Sequence, residues 1–464
     1  MRPAAPPVDA GAPDDAALLA LRRLADPPAD AAIAAMLRPW DEAGAARVNR
    51  ERLREANAAI AQWCCNGELA GWRAPAGTAP EVAAALETYV ASTHLLPAWA
   101  EPARIERAER VFMEQGLLSC ALLFCASLPE CYVLPALAEV LITTGQLESR
   151  AEHRIRSTAA MIFPVMMEGG LTRPEGSGVA QVLKVRLIHA MVRHLVLRAS
   201  PAEALTRAHE PPPPAATGDA MTDALLARGW DAAALGLPCN QFEMGYTLLT
   251  FGFVMTRAQR RLGVALAREE ELATLHAWNV VGHLVGVRPE LTVRTMDDAE
   301  ALFARLQALG RDRVPAPDPR PPLAAVLMGT MADAIPWPAA KPVPLLLTRR
   351  LVGRVGRETL ALDAQVAPVS KLLFALGFAF VRTVDAVARL AWPRFSLARL
   401  ATRVLGYHAL TRLLLDQTRP LALPAQLREQ IDRAALRWRG DPAAPGWVNR
   451  VENRFTAGAG QPPR

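Results

Sequence analysis

The residues of this sequence best suited to metal or cofactor chemistry are its histidines. Only eight occur in 464 residues, so each can be weighed individually. Four fall in two apolar segments with helical periodicity: VLKVRLIHAMVRHLVL contains His189 and His194, and LHAWNVVGHLVGV contains His276 and His283. A neutral imidazole donates readily to a metal, which makes these four the candidate ligands. The alternative for each is a histidine that is hydrogen-bonded inside a helical core.

Spacing decides which of these histidines could act together. A helix turns ~100° per residue, so His189 and His194, which are five residues apart, point about 140° away from each other. They cannot share one metal ion as an i, i+4 pair could. His276 and His283 are seven residues apart, on one helix face that also carries Asn279. That face is either a supporting layer beside a site or a polar seam between helices, and spacing alone favours the seam.

A second candidate pair is Arg154 and Thr158 in HRIRSTAAMIF, which are four residues apart and share a helix face. The guanidinium could hold an anionic group and the hydroxyl could line a pocket. An exposed arginine is the alternative. The sequence contains no HExxH, no GxSxG, no P-loop and no dinucleotide fingerprint after a strand, which argues against the corresponding enzyme classes.

Composition predicts the elements that must position these side chains. Apolar residues make up 51% of the chain, alanine and leucine are abundant, and β-branched residues are few outside short runs. An all-α fold is therefore predicted. The formal net charge of +6 is spread along the chain and comes largely from arginine, without a basic block interleaved with aromatic residues. We therefore expect no nucleic-acid partner.

The cysteines and the N-terminus indicate the compartment. The six cysteines include no CxxC pair, and several lie in apolar stretches such as SCALLFCASLPEC, so buried free thiols are predicted. The first twenty residues have proline and aspartate where an export signal needs a basic start and an unbroken apolar run. The expected location is cytoplasmic.

Changes in composition divide the chain into three parts. Residues 1–30 are rich in alanine, proline and aspartate and are expected to be flexible, and residues 31–313 carry a succession of helical patterns. The proline-rich break VPAPDPRPP at 314–322 opens a C-terminal helical extension, residues 314–464. Within the middle part, VFMEQGLLSCALLFCASL, stopped by Pro129, and LPALAEVLITTGQL are predicted to be buried core helices.

Residues 368–392 form an apolar helix pattern in the C-terminal extension. Arg382, Asp385 and Arg389 follow an apolar core of ten residues, which is too short to cross a bilayer. The helix therefore either packs on the domain or makes peripheral contact with a membrane. Packing is favoured, because amphipathic helices usually face a core.

Several segments together resemble a known family. The segments are SLPECY at 127–132, TGQL at 144–147, RxxxT at 154–158, VRLIHAMVRH at 185–194, PCNQFEMGYTLLTF at 238–251 and HAWNVVGHLVGV at 276–287. In this order and at these separations they resemble the motif series of the latex-clearing-protein (rubber oxygenase) family, which also includes membrane-anchored eukaryotic oxygenases. The resemblance covers roughly residues 100–310.

The resemblance implies a large helical domain around a single b-type haem, with His189, in the motif R-L-x-H-A, as the axial iron ligand. Arg154 and Thr158 match the family's distal-side pair. The family histidines thought to support the haem pocket match the residues His194, His276 and His283.

Two further positions bear on the distal side. Family members that cleave rubber can carry a lysine directly before the distal threonine, where this chain has Ser157. A short hydroxyl cannot reach the iron as a lysine amine does. A distal carboxylate serves as the proposed base in rubber cleavage, and Glu139 lies near the expected place, where an ordinary helix-end carboxylate is the alternative.

The resemblance thus implies a haem-dependent oxygenase, with O2 bound opposite His189 and a small, hydrophobic, unsaturated compound as its substrate. One alternative is a haem-binding sensor or storage protein without turnover. A second is a helical scaffold that has lost its cofactor.

Overall fold

The computed structural model describes residues 13–143, 161–207, 229–264, 266–333, 337–363 and 365–391, together with Thr158, Asp223, Leu226 and Ile335. Every regular element among these residues is helical, which confirms the predicted all-α fold. The α-helices of the first half are α1 (Asp15–Ala20), α2 (Pro27–Met36), α3 (Ala45–Ala61), α4 (Pro80–Thr93), α5 (Pro102–Gln115), α6 (Leu117–Leu122), α7 (Leu128–Cys131) and α8 (Pro135–Thr143). The α-helices that follow are α9 (Gly178–Leu197), α10 (Pro201–Thr206), α11 (Ala232–Leu235), α12 (Gln241–Leu249), α13 (Met255–Leu262), α14 (Arg268–Val285), α15 (Met296–Gly310), α16 (Arg320–Asp333), α17 (Val343–Leu351), α18 (Arg354–Thr359) and α19 (Pro368–Ala391). Residues 161–166 are also helical.

Local sequence signals set many of the helix starts. Proline occupies the first turn of α2, α4 and α5, where a missing backbone N–H costs nothing. Helix α15 begins with a capping box, in which Thr295 Oγ1 accepts from Asp298 N at 3.1 Å and Asp298 Oδ2 accepts from Thr295 N at 3.2 Å. The proline-rich break predicted from residue 314 is non-helical up to α16.

Helix α9, which carries His189, lies in the middle of the fold. It packs against α2 and α14, and α14 packs along α5. Two buried ion pairs join α9 to the segment around α2. Arg186 Nε donates to Asp26 Oδ2 at 2.6 Å, and Arg193 Nη1 donates to Asp30 Oδ1 at 2.6 Å.

These ion pairs correct one prediction. Residues 1–30 were expected to be flexible, but from residue 13 onward this segment forms α1 and the start of α2, and both Asp26 and Asp30 are buried. The physical reason is that the two carboxylates supply the counter-charges for Arg186 and Arg193. Residues 1–12 lie outside the described residues.

The segment VFMEQGLLSCALLFCASL, predicted to be one core helix, is divided at Gly116 between α5 and α6. Gly116 has a φ of +38°, which ends α5, and the helical pair Pro102–Gln115 and Leu118–Cys131 is bent by 94°. The second helix also continues past Pro129 to Cys131, so the predicted stop at Pro129 is wrong. A π-helical turn, Leu123–Ser127, directly precedes α7, which contains the proline, and loosens the backbone hydrogen bonding that a proline would otherwise break.

A second π-helical turn, Thr250–Val254, connects α12 to α13 and lies against the first. Ser127 Oγ donates to Thr250 Oγ1 at 3.1 Å between them. Single π-helical turns inside helices are frequent near functional sites, and here two of them meet in the core.

The C-terminal extension is joined to the rest through the buried Glu130. Its Oε1 accepts from Arg257 Nη2 at 2.7 Å and from Gly353 N at 3.3 Å, and its Oε2 accepts from Gln307 Nε2 at 3.1 Å. Of these contacts, the hydrogen bond from Gly353 crosses the predicted boundary at 313/314. The three-part division otherwise stays a prediction.

Helix α19 covers most of the segment 368–392. It contacts α17 and the short turn Pro338–Ala340 on one side. Apolar side chains on α19 remain exposed, namely Val369, Leu372, Leu373, Leu376, Phe380 and Val387. The helix therefore packs along one side only, and membrane contact through 368–392 stays a prediction.

Within the described ranges, no single helix has both the length and the apolar character that a membrane crossing requires. The bent pair described above passes that test only when its two helices are taken together.

Candidate functional site

Helix α9 leaves one stripe of side chains accessible while the rest of it is buried. The stripe consists of Gln181, Lys184, Val185, Ile188, His189 and Val192. These positions recur at intervals of three and one, which places them on a single helix face. Ile188 is 43% exposed, an unusual value for isoleucine on a core helix. His189 thus lies among apolar side chains on a face of α9 that the described residues leave partly accessible.

The His189 ring has the properties of an unused ligand. Its Nδ1 is buried and has no hydrogen-bond partner among the described residues. Burial, and secondarily the positive charge of Arg193, lower the pKa of His189 to about 4. The imidazole is therefore neutral near pH 7, as an iron donor must be. A core histidine with satisfied hydrogen bonds does not fit this geometry.

His194 points to a different part of the fold. Its Nε2 lies 3.3 Å from Asp30 Oδ1, the same oxygen that accepts from Arg193. The structure thus separates His189 and His194 as their spacing predicted. His194 contacts the ion pair between α2 and α9, and its role in supporting a haem pocket stays a prediction.

His276 and His283 are brought together by Trp99. The Trp99 ring makes edge-on contacts with both, at centroid distances of 5.7 Å to His276 and 6.2 Å to His283. His276 Nε2 also accepts a hydrogen bond from Glu101 N at 2.9 Å, and His283 is exposed. Burial lowers the pKa of both histidines. This is the arrangement of a polar seam between α5 and α14, and a role in cofactor binding stays a prediction.

The predicted distal residues are only partly described. Arg154 and Ser157 lie outside the described residues. Thr158 is half-buried, and so is Glu139 on α8. Their catalytic roles stay predictions.

Two polar residues of α12 were missed by the sequence analysis. Both carboxyl oxygens of Glu243 and the hydroxyl of Thr247 are buried without a hydrogen-bond partner among the described residues. The two side chains are four residues apart and share a helix face. Next to the larger effect of burial, the charge of Arg193 contributes to lowering the pKa of both His189 and Glu243. The signal available in the sequence was a carboxylate and a hydroxyl at i, i+4 spacing within the apolar segment QFEMGYTLL.

Glu243 should make stability depend on pH. Burial raises the pKa of Glu243 from 4.5 to about 8. Between these values the folded chain keeps a proton that the unfolded chain releases, so folding loses about 1.4 kcal/mol per pH unit as the pH rises. The variant Glu243→Gln carries no such proton. We expect the free energy of unfolding of the variant, relative to that of the parent, to increase from pH 4.5 to 8 and then to stay constant. Urea unfolding at several pH values measures this difference.

The matched control is Glu51→Gln, which changes an exposed carboxylate on α3. Its stability should follow the parent at every pH. If the free energy of unfolding depends on pH in the same way for Glu243→Gln and for the parent, Glu243 is ionised in the folded protein.

Comparison with known proteins identifies the family and the fold. Residues 110–441 match the family described as ER-bound oxygenase mpaB/B'/rubber oxygenase, catalytic domain. A rubber oxygenase from Streptomyces sp. (strain K30) is 25% identical over 364 residues, which covers 76% of this chain and 74% of the relative. The solved structure of latex clearing protein in the closed state matches with a TM-score of 0.58 at 21% identity, covering 94% of each chain, and shows the shared fold. The chain therefore belongs to the family of ER-bound oxygenase mpaB/B' and rubber oxygenase catalytic domains, and it is an oxidoreductase enzyme.

Proposed function

We propose that this protein is a haem b-dependent oxygenase that acts on a small, hydrophobic, unsaturated substrate, and that His189 would hold the haem iron. The single observation that carries the proposal is the stripe on α9: a neutral histidine with a buried, unpartnered Nδ1 among uncovered apolar side chains. Membership in an oxygenase family supplies the reaction class.

The residues of α9 fit a haem. His189 offers a neutral imidazole, and Val185, Ile188 and Val192 offer an apolar surface that suits a flat macrocycle and excludes water beside the donor. When bound, haem supplies the activation of dioxygen, which amino-acid side chains cannot perform alone. Arg193 holds the middle of α9 in place through Asp30 and two backbone carbonyls, and so fixes the orientation of His189.

The remaining catalytic assignments extend this proposal to the opposite side of the site. Arg154 would hold an anionic group of the cofactor, and Thr158 would line the substrate pocket. Glu139 would take a proton from the substrate, a task that suits a half-buried carboxylate.

An apolar substrate class follows from the relatives and from the site. The Streptomyces relative is named a rubber oxygenase, and rubber is a hydrophobic polyene. The accessible face around His189 is likewise apolar. We propose small unsaturated compounds rather than the polymer, in keeping with the expected cytoplasmic location.

The function is tested by two measurements on the purified full-length chain. An absorption spectrum should show a Soret band, and oxygen uptake should rise when unsaturated terpenes or fatty acids are added. Saturated compounds of equal length are the control and should give no uptake. A Soret band without uptake across the whole panel would point to a haem-binding sensor or storage protein instead. A chain that lacks the band even after incubation with haemin would be a scaffold without cofactor.

A further inference from the structure

A cluster of metal-binding side chains that the proposed haem site does not use lies directly after α3. The thiols of Cys64 and Cys65 and the carboxylate of Glu68 place one donor atom each within 4.8 Å of the others. Cys64 Sγ donates a hydrogen bond to Glu68 Oε2 at 2.9 Å, and both cysteines are free thiols. Three donors from a stretch of five residues thus already converge.

The loop that carries these donors is held rigidly by Asn66, which lies between them in sequence. The Asn66 side chain donates to Gly170 O at 2.8 Å and to Arg173 O at 2.9 Å, and its Oδ1 accepts from Val179 N at 3.0 Å. Its backbone N–H donates to Gly176 O at 2.7 Å. Because the loop is fixed by these bonds, the donors need little reorganisation to bind an ion.

We propose that Cys64, Cys65 and Glu68 form a zinc site with three protein ligands and one position open to water. Two thiolates and a carboxylate are donors that Zn²⁺ prefers, and hard cations such as Mg²⁺ do not take thiolates. A tetrahedral zinc ion with bonds of about 2.0 to 2.3 Å brings its donors roughly 3.5 Å apart, which lies within the 4.8 Å that encloses the three donor atoms here. The cysteines are half-buried and Glu68 is exposed, so an ion and its water can reach the site.

Zinc binds cysteines as thiolates and not as thiols. Binding replaces the two thiol protons, so about two protons leave for each zinc ion bound.

The site connects to the helix that carries His189. Asn66 Oδ1 accepts from Val179 N, in the first turn of α9, and so the zinc loop fixes the beginning of that helix. Structural zinc sites are closed by four protein ligands, so the open fourth position here assigns the ion to binding water or another small ligand. Zinc binding can be measured whether or not the protein turns over a substrate.

The test is metal binding by the full-length chain, without an affinity tag and with a thiol-free reductant present. We expect one equivalent of Zn²⁺ in competition with a chelating dye, and a thiolate-to-metal absorption band when Co²⁺ is used instead. The variants Cys64→Ala, Cys65→Ala and Glu68→Gln should each bind at least about tenfold more weakly. Glu51→Gln, an exposed carboxylate on the neighbouring helix, should bind like the parent.

Two results would overturn the zinc site. One is a parent chain that takes up no stoichiometric Zn²⁺ and shows no cobalt–thiolate band. The other is unchanged affinity in both cysteine variants. Circular dichroism and unfolding of the metal-free variants check that they fold, which the partial exposure of all three side chains predicts.

Discussion

Replacing His189 with alanine is expected to abolish stable haem binding. The His189 imidazole is the candidate iron donor on the accessible face of α9, and its Nδ1 has no hydrogen-bond partner among the described residues. Without it the cofactor keeps only apolar contacts with that face, so retention should fall more than about tenfold, or at least about 1.4 kcal/mol. The measurement is the Soret absorbance per mole of protein after gel filtration. Added imidazole should restore part of the band by entering the space that the side chain leaves.

His94 provides the matched control for this variant. It lies at the end of α4, where its Nδ1 is 2.8 Å from Val90 O, far from the stripe on α9 in sequence. His94→Ala should keep the parent's haem content. A His189→Ala protein that keeps the full Soret band would remove His189 from the site and, with it, the basis of the proposed function.

The second large effect concerns folding rather than the cofactor. Arg193 is completely buried, and its guanidinium donates to Asp30 Oδ1 at 2.6 Å, to Pro238 O at 2.9 Å and to Cys239 O at 2.7 Å. Asp30→Ala removes the only carboxylate among these acceptors and leaves the charge buried. Breaking a buried pair in this way costs about 3–5 kcal/mol, which urea unfolding should show as a loss of stability.

An exposed ion pair serves as the control for Asp30→Ala. Asp15 pairs with Arg305 at 2.7 Å, but its side chain is 63% exposed. Asp15→Ala should therefore cost only about 0–1 kcal/mol. Equal losses in the two variants would mean that the buried pair contributes no more than a surface contact. Asp30→Asn, which keeps a hydrogen-bond acceptor, should lie between the two.

The helical fold could be predicted from the sequence because its signals are local. Composition and periodicity depend on neighbouring residues, and the break before α16 follows from its prolines. The bend at Gly116 and the continuation past Pro129 could not be read in the same way. Both depend on how the chain turns to fill a core, where a π-helical turn can accommodate a proline.

The candidate site was predictable only where one residue carries the signal. His189 could be singled out from its apolar helix and the family motif. The structure adds that its Nδ1 has no hydrogen-bond partner among the described residues. Glu243 escaped notice because a single glutamate in a helix is normally exposed. Its burial beside α9 depends on residues distant in sequence. The same is true of Asp30, which lies in a segment whose composition is typical of a flexible tail.

The ion pairs between α2 and α9 cross the start of the family match. That match begins at residue 110, so it includes Arg186 and Arg193 but neither Asp26 nor Asp30. The matched region alone would therefore leave two arginines of its central helix buried without their counter-charges. A relative that loses Asp26 or Asp30 would leave a buried arginine without its partner. We therefore expect the two aspartates and the two arginines of α9 to change together among relatives.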